Sequence, residues 1–519
     1  MRCALITGLL LLCSIILLAQ TPQYWQQDAI WDNEKLLVFD HLQLMHRGVA
    51  LWDINLARIP SIAPDYFIAE ITRGLSQDIR IQYLLFLVAL SSVQLGLGAA
   101  IVSKLTNARL EIALINLALI SYLLGWISPD FASNRSLAAL PLNHGGNLAM
   151  VLLFYLALIS FASRQEKISR LKVAALGLIA LAAVASNRIF LIQALGPAVA
   201  LLSFQRQPWL LSKQKHCALA ALITGGSGGL LLSRLILKTG CTPPLTWDTT
   251  QMLTHLNNLF QTDTSNVGIG FLIASNLALS LFIFCKESSE PPARLYAGLI
   301  LSGSAMCLLV YPFIYSNQGI GAGNLRYLLP QISTTSIAVA YLLTVSLYKK
   351  HRMPMASLLV LCFAALISSQ APKIPDFGNI FSGWANPYTN FVADNVPLGI
   401  GVLTAQEGNY LASSRSLKAG SNWRFIASQI ASDGNPNPWD QGKAEFYSDA
   451  RSKHLRKYRA VLLQASEHKQ VLEWYGPPST IASDKALAAE IFLYDDVRGA
   501  NIDKKLTQGI AGDFRIACN

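Results

Sequence analysis

Apolar residues in this chain gather into blocks of about 15 to 21 positions, divided by short segments alternately rich and poor in Lys and Arg. A hydrocarbon core about 30 Å thick takes roughly 20 residues of helix, so the blocks predict membrane-crossing helices. Eleven fall at 4–19, 83–103, 110–128, 146–162, 173–186, 189–204, 217–236, 267–285, 295–315, 327–347 and 354–371. The pair 173–204 is short in each half. Joining the halves into one helix would move RQPWLLSKQKH to the opposite face, so the pattern predicts a hairpin with Asn187 and Arg188 at its recessed tip. An arginine at that depth must face protein or water rather than lipid.

Before the second block, residues 20–81 form a long polar-rich loop. In it DAIWDNEKLLVFDHLQLMHRGVALW spaces its apolar positions at three and four, as a helix lying on a membrane does. PSIAPDYFIAEI follows, where Pro60 and Pro64 signal a second short helix with Asp65 in its first turn, the place where the helix dipole favours a carboxylate. After 371 the pattern changes to alternating short strands and helices. LGIGVLTA, YRAVLLQA and AEIFLYDD read as strands, WRFIASQIA and SEHKQVLEWYG as helices, which makes residues 372–519 a small α/β domain. The chain thus divides into a first transmembrane helix (1–19), a loop with amphipathic helices (20–81), a helical membrane body (82–371) and this tail.

Composition and charge fix the orientation. Of 519 residues, 52% are hydrophobic and only 14% charged, which excludes an ordinary soluble enzyme. The net charge of +11 is carried mainly by KLTNAR, RQEKISRLK, RQPWLLSKQKH, KESSEPPAR and YKKHRM. Cations resist translocation, so these loops are cytoplasmic, the N-terminus is inside and the C-terminus outside. The tail beyond 372 is balanced, with 16 basic and 15 acidic residues, and implies no nucleic-acid partner. Loop and tail together hold 23 of the 30 acids, which places carboxylate chemistry on the outer side. Of eight cysteines only Cys241 and Cys518 lie in outer segments, where a disulfide is permitted but not demanded by their spacing.

Candidate chemistry follows from what violates these rules. Arg135, Arg188 and Arg326 lie beside spans on the face that should be poor in cations. One alone reads as a snorkelling or ion-paired side chain. Three suit a shared anionic ligand, and phosphate fits the planar guanidinium fork. NHGGN at 143–147 puts His144 at a span entrance, with two glycines that allow close approach. GGSGG at 225–229 reads as a helix-packing surface. GIGAG at 319–323 follows no strand and is no dinucleotide motif. The sequence carries no clear metal motif, so a cofactor, a divalent metal included, is left unassigned.

One helix, a long acidic outer loop, about ten further helices and an outer α/β tail, with APDYF at 63–67, NHGGN, SNRIFLIQALGP at 186–197 and NLRYLLP at 324–330, resemble the GT-C class of membrane glycosyltransferases and their bacterial relatives. The resemblance implies transfer of a sugar from a polyprenyl-phosphate donor to an envelope acceptor at the outer face of a bacterial inner membrane. It implies an acid of the first outer loop as general base. Asp65 is the first choice and the pair Asp32 and Glu34 the second, while Arg188, Arg326, Arg135, His144 and Asn187 form the substrate-binding set. Relatives carry an acid where Asn187 stands. A non-catalytic envelope scaffold stays open as an alternative. A transporter fits less well, because the spans hold almost no internal charge and show no inverted repeat.

Overall fold

The structure is a computed structural model that describes residues 2–20, 61–76, 79–128, 145–161, 170–204, 212–237, 269–285, 291–314, 328–349, 400–404, 427–429 and 458–502, with short stretches within 38–53, 131–139 and 391–397. Its helices are α1 (Arg2–Ala19), α2 (Ile62–Leu75), α3 (Ile79–Thr106), α4 (Leu110–Ile127), α5 (Gly145–Phe161) and α6 (Arg170–Ser186). A π-helical turn at Leu191–Leu195 leads into α7 (Gly196–Phe204). Then come α8 (Ser212–Leu231), which ends in a second π-helical turn at Leu232–Ile236, α9 (Ile269–Cys285), α10 (Pro291–Ile314) and α11 (Leu329–Lys349). Helices cover ten of the eleven segments read as spans, and 354–371 lies outside the described residues.

Five helices are long and apolar enough to cross a membrane, and four shorter apolar ones accompany them. Their packing is that of a membrane bundle. Ser14, Asn116, Asn147, Asn276 and Thr334 are buried, while Leu12, Ile115, Leu178, Ile223 and Phe282 are exposed. In water that distribution would be inverted; in lipid the outward face is apolar and polar groups are satisfied within the bundle.

The hairpin read from 173–204 is present, with Asn187 to Ile189 turning between α6 and the first π-helical turn. Helix α8 packs along α6 through GGSGG. A Cβ at Gly225 would lie 2.3 Å from the Gly177 carbonyl oxygen, and one at Gly229 would lie 2.6 Å from that of Leu181. The pairs 225/177 and 229/181 advance together, so the two helices run parallel with a constant offset. By that register Arg234 lies at the level of Ser186.

The tail sheet has strand order β2-β1-β3-β5-β4, formed by β1 (Gly401–Thr404), β2 (Ala427–Gln429), β3 (Tyr458–Gln464), β4 (Thr480–Asp484) and β5 (Ala489–Leu493), with α12 (His468–Tyr475) after β3. β1 pairs in parallel with β2 and β3, while β5 is antiparallel to β3 and β4. The three predicted strands are there, and so is the helix read from SEHKQVLEWYG. The helix predicted over WRFIASQIA fails at 427–429, which is edge strand β2. The backbone of β1 offers those residues a parallel ladder that their local apolar spacing could not reveal.

Replacing Gly225 with Leu drives a side chain into the α6 backbone and is expected to cost about 3 kcal/mol or more. Thermal unfolding in detergent checks it, with Gly8→Leu, where a Cβ meets nothing within 4 Å, as the silent control.

Candidate functional site

The site is built where the start of α2 docks on the α6 hairpin tip. The Ser61 N–H donates to the Ser186 carbonyl oxygen at 2.9 Å, and the Ala63 N–H to the Ser186 hydroxyl at 2.8 Å. Ser186 thus takes two backbone donors that a helix start leaves without intrahelical partners. Ser61 adopts the left-handed conformation, with φ 44°, and Ala63 is extended, so the regular helix begins at Pro64. A non-glycine residue in that conformation costs roughly 1 to 3 kcal/mol and persists only where its surroundings impose it. Two hydrogen bonds worth about 1 kcal/mol each contribute to holding it here.

Asp65 follows as the first acid of α2 and is fully buried. Its carboxylate lies against the first turn of α5: a Cβ at Gly146 would be 2.1 Å from Asp65 Oδ1 and 2.9 Å from Pro64 Cδ. Gly145 is as constrained, since its Cβ would strike the Ala138 carbonyl oxygen at 1.8 Å. Gln94 fixes that backbone by donating to the carbonyls of Ala138, at 2.7 Å, and Gly145, at 2.9 Å. Two helix N-termini, those of α2 and α5, therefore meet at one carboxyl group. The neighbouring Tyr66 hydroxyl pairs with His41 Nδ1, and burial, then the Asp65 carboxylate, push its phenol above the ordinary value. Farther along α2, Arg73 and then His46 hold the Glu70 carboxyl down at about 2, joining the loop to the helix.

At the hairpin tip, Asn187 is buried and serves the turn: its Oδ1 accepts the Ile189 N–H at 3.0 Å. Arg188 is half-buried, and its guanidinium is depressed by burial and then by the like charge of Arg234. Arg234 was missed by the sequence reading because it lies inside the apolar block 217–236. The rule that singled out Arg188, a cation at the cation-poor end of a span, applies to it equally. Arg188 precedes the first π-helical turn and Arg234 lies within the second, and such turns commonly mark functional positions.

Arg135 stands elsewhere. Its guanidinium donates to the carbonyls of Ser121, at 3.0 Å, and Leu17, and to Gln20 Oε1 at 2.7 Å, which ties α1 to α4. Asp32, Glu34, His144 and Arg326 lie outside the described residues. Among the described residues, no three His, Cys, Asp or Glu side chains gather as a metal-binding set.

Gly146→Ala should push Asp65 and Pro64 off α5 and loosen the start of α2. Hydrogen exchange over residues 61–75 is expected to quicken about tenfold or more, while Gly74→Ala, where a Cβ meets nothing within 4 Å, should leave it unchanged.

No family model and no curated protein matches the chain. Among solved structures, the crystal structure of the Archaeoglobus fulgidus oligosaccharyltransferase in complex with zinc and sulfate aligns over 90% of this chain and 69% of its own, at 11% identity and a TM-score of 0.43. At that identity it carries no residue role over to this chain.

Proposed function

We propose that this chain is a multi-pass membrane glycosyltransferase of GT-C type, which moves a sugar from a polyprenyl-phosphate carrier to an acceptor hydroxyl at the outer face of a bacterial inner membrane. The observation that carries the reading is the convergence of a buried carboxylate, Asp65, with the Arg188 and Arg234 pair at one end of the helical bundle, joined through Ser186. The Lys/Arg bias of the loops supports an outer position for that end. Tyr66 and Phe86 share a buried cluster with Val461 and Phe492 of the tail sheet, which supports loop and tail lying on the same side.

In this reading the acceptor oxygen attacks the anomeric carbon while Asp65 takes its proton. The bond from that carbon to the carrier phosphate breaks, and the electron pair leaves with the phosphate. Arg188 and Arg234 stabilise the charge that develops there; a guanidinium donates two parallel hydrogen bonds to a phosphate. Arg326 and His144 are further candidates for holding the donor, and Asp32 and Glu34 are the alternative acids. Arg135, whose hydrogen bonds go to Ser121, Leu17 and Gln20, is assigned to holding α1 rather than to the donor. Asn187, in the place of a relative's acid, serves as the turn residue that sets Arg188.

Mass spectrometry of lipids that co-purify with the detergent-solubilised protein tests this. Wild type is expected to carry a polyprenyl phosphate or its glycosylated form. Arg188→Ala and Arg234→Ala should each lower its occupancy about tenfold, as the loss of a charge-assisted hydrogen bond worth about 1.5 to 3 kcal/mol implies. Asp65→Asn should retain the lipid with its sugar still attached. Bulk phospholipid alone, unchanged by these substitutions, would refute the donor site.

A further inference from the structure

Behind the site the bundle interior is polar. Asn147, next in the chain to Gly146, is 3% exposed and donates through its amide to Gln193 Oε1. Gln193 sits in the first π-helical turn, and its carbonyl oxygen accepts the Tyr155 hydroxyl at 3.2 Å. Tyr155 meets Tyr296 edge to face, with ring centres 6.2 Å apart. The Cys307 thiol lies within electrostatic reach of Tyr155 and beside the Gln331 side chain. Asn276 completes the row, donating to the Gln331 carbonyl and to Thr334 Oγ1, each at 2.9 Å.

Four atoms in this row, Asn147 Oδ1, Asn276 Oδ1, Gln331 Oε1 and Tyr296 Oη, are buried and have no hydrogen-bond partner among the described residues. Turning an amide over only changes which of its atoms is left in that place. In a lipid-embedded bundle no bulk water reaches them, and four such groups left dry would consume a large share of the stability of a whole domain. The row holds no carboxylate to balance a bound cation. Three of the four atoms are amide oxygens that need a donor, and the fourth is a hydroxyl that can give or take. Water meets both needs. Gly303 of α10 packs close beside the row, where a Cβ would come 2.9 Å from the Gln193 carbonyl oxygen and 3.3 Å from the Tyr155 hydroxyl.

We infer that this row is a hydrated track, lined by Asn147, Gln193, Tyr155, Tyr296, Gln331 and Asn276, which holds ordered water and runs from the Asp65 site into the interior of the helical bundle. Its site end is one residue from Gly146, so the track brings water to the back of the α5 turn against which the Asp65 carboxylate lies. The inference does not depend on which reaction the site performs.

X-ray radiolysis of the full-length protein in detergent and ¹⁸O-labelled water generates hydroxyl radicals from bound water where it sits, and peptide mass spectrometry reads the oxygen they add. Tyr155 and Tyr296 are expected to be labelled several-fold faster than Tyr475, an equally buried tyrosine in the core of the tail. In the double variant Asn276→Leu, Gln331→Leu, labelling at Tyr296 should fall toward that of Tyr475 with no loss of thermal stability, because the groups that bind the water have been removed. Tyr296→Phe provides the same comparison at Tyr155 with a smaller change, should the double variant fold poorly. Labelling of Tyr155 and Tyr296 no faster than Tyr475 in the wild type would overturn the inference, and so would labelling that the variants leave unchanged.

Discussion

Everything at the candidate site depends on Ser186 receiving the start of α2. Its carbonyl and hydroxyl accept the N–H groups of Ser61 and Ala63, and so hold α2 against the tip of the α6 hairpin. Without that docking Asp65 would be one of several loop acids. With it, the carboxylate is fixed in the first turn of α2 and against α5, two residues along the chain from the Ala63 N–H that Ser186 holds. The gain from two hydrogen bonds is small, about 2 kcal/mol in all, and of the same order as the strain at Ser61. The geometry is therefore retained by the sum of this docking, the burial of Tyr66 and Ile68, and the close fit at Gly146 rather than by any one of them.

Close backbone approach is the second constraint. Gly225 and Gly229 bring α8 onto α6 in parallel register, which carries Arg234 to the level of Ser186 and next to Arg188. Two like charges there, at the depth where a span ends, disfavour one another. The same glycine logic operates at Gly145 and Gly146, where any side chain would displace the Ala138 carbonyl or the Asp65 carboxylate. Small residues thus set the distances, and the charged residues exploit them.

Much of the architecture was legible because its signals are local. Apolar length marks the spans, Pro60 and Pro64 signal the start of α2 with Asp65 in its first turn, and the charge bias argues for a hairpin with Asn187 and Arg188 at its tip rather than one long helix. The two glycines of NHGGN and the run GGSGG read correctly as places of close approach. What was hidden is non-local. Nothing near Ser186 says that its hydroxyl receives a chain 123 residues earlier. Arg135 looked like its fellow arginines until the carbonyls of Leu17 and Ser121 were seen around it. β2 was read as helix because its pairing with β1 is a tertiary fact, and Arg234 was overlooked inside an apolar block although its end position marks it.

The central claim is that Asp65 and the arginines beyond Ser186 form one site for a phosphate-linked sugar donor. Cryo-electron microscopy of the Asp65→Asn protein, purified with a polyprenyl-phosphate sugar, tests it most directly. The account predicts a phosphate within about 3 Å of the Arg188 guanidinium, with the sugar toward residue 65. A donor held elsewhere on the bundle, or no donor bound at this end, would contradict it.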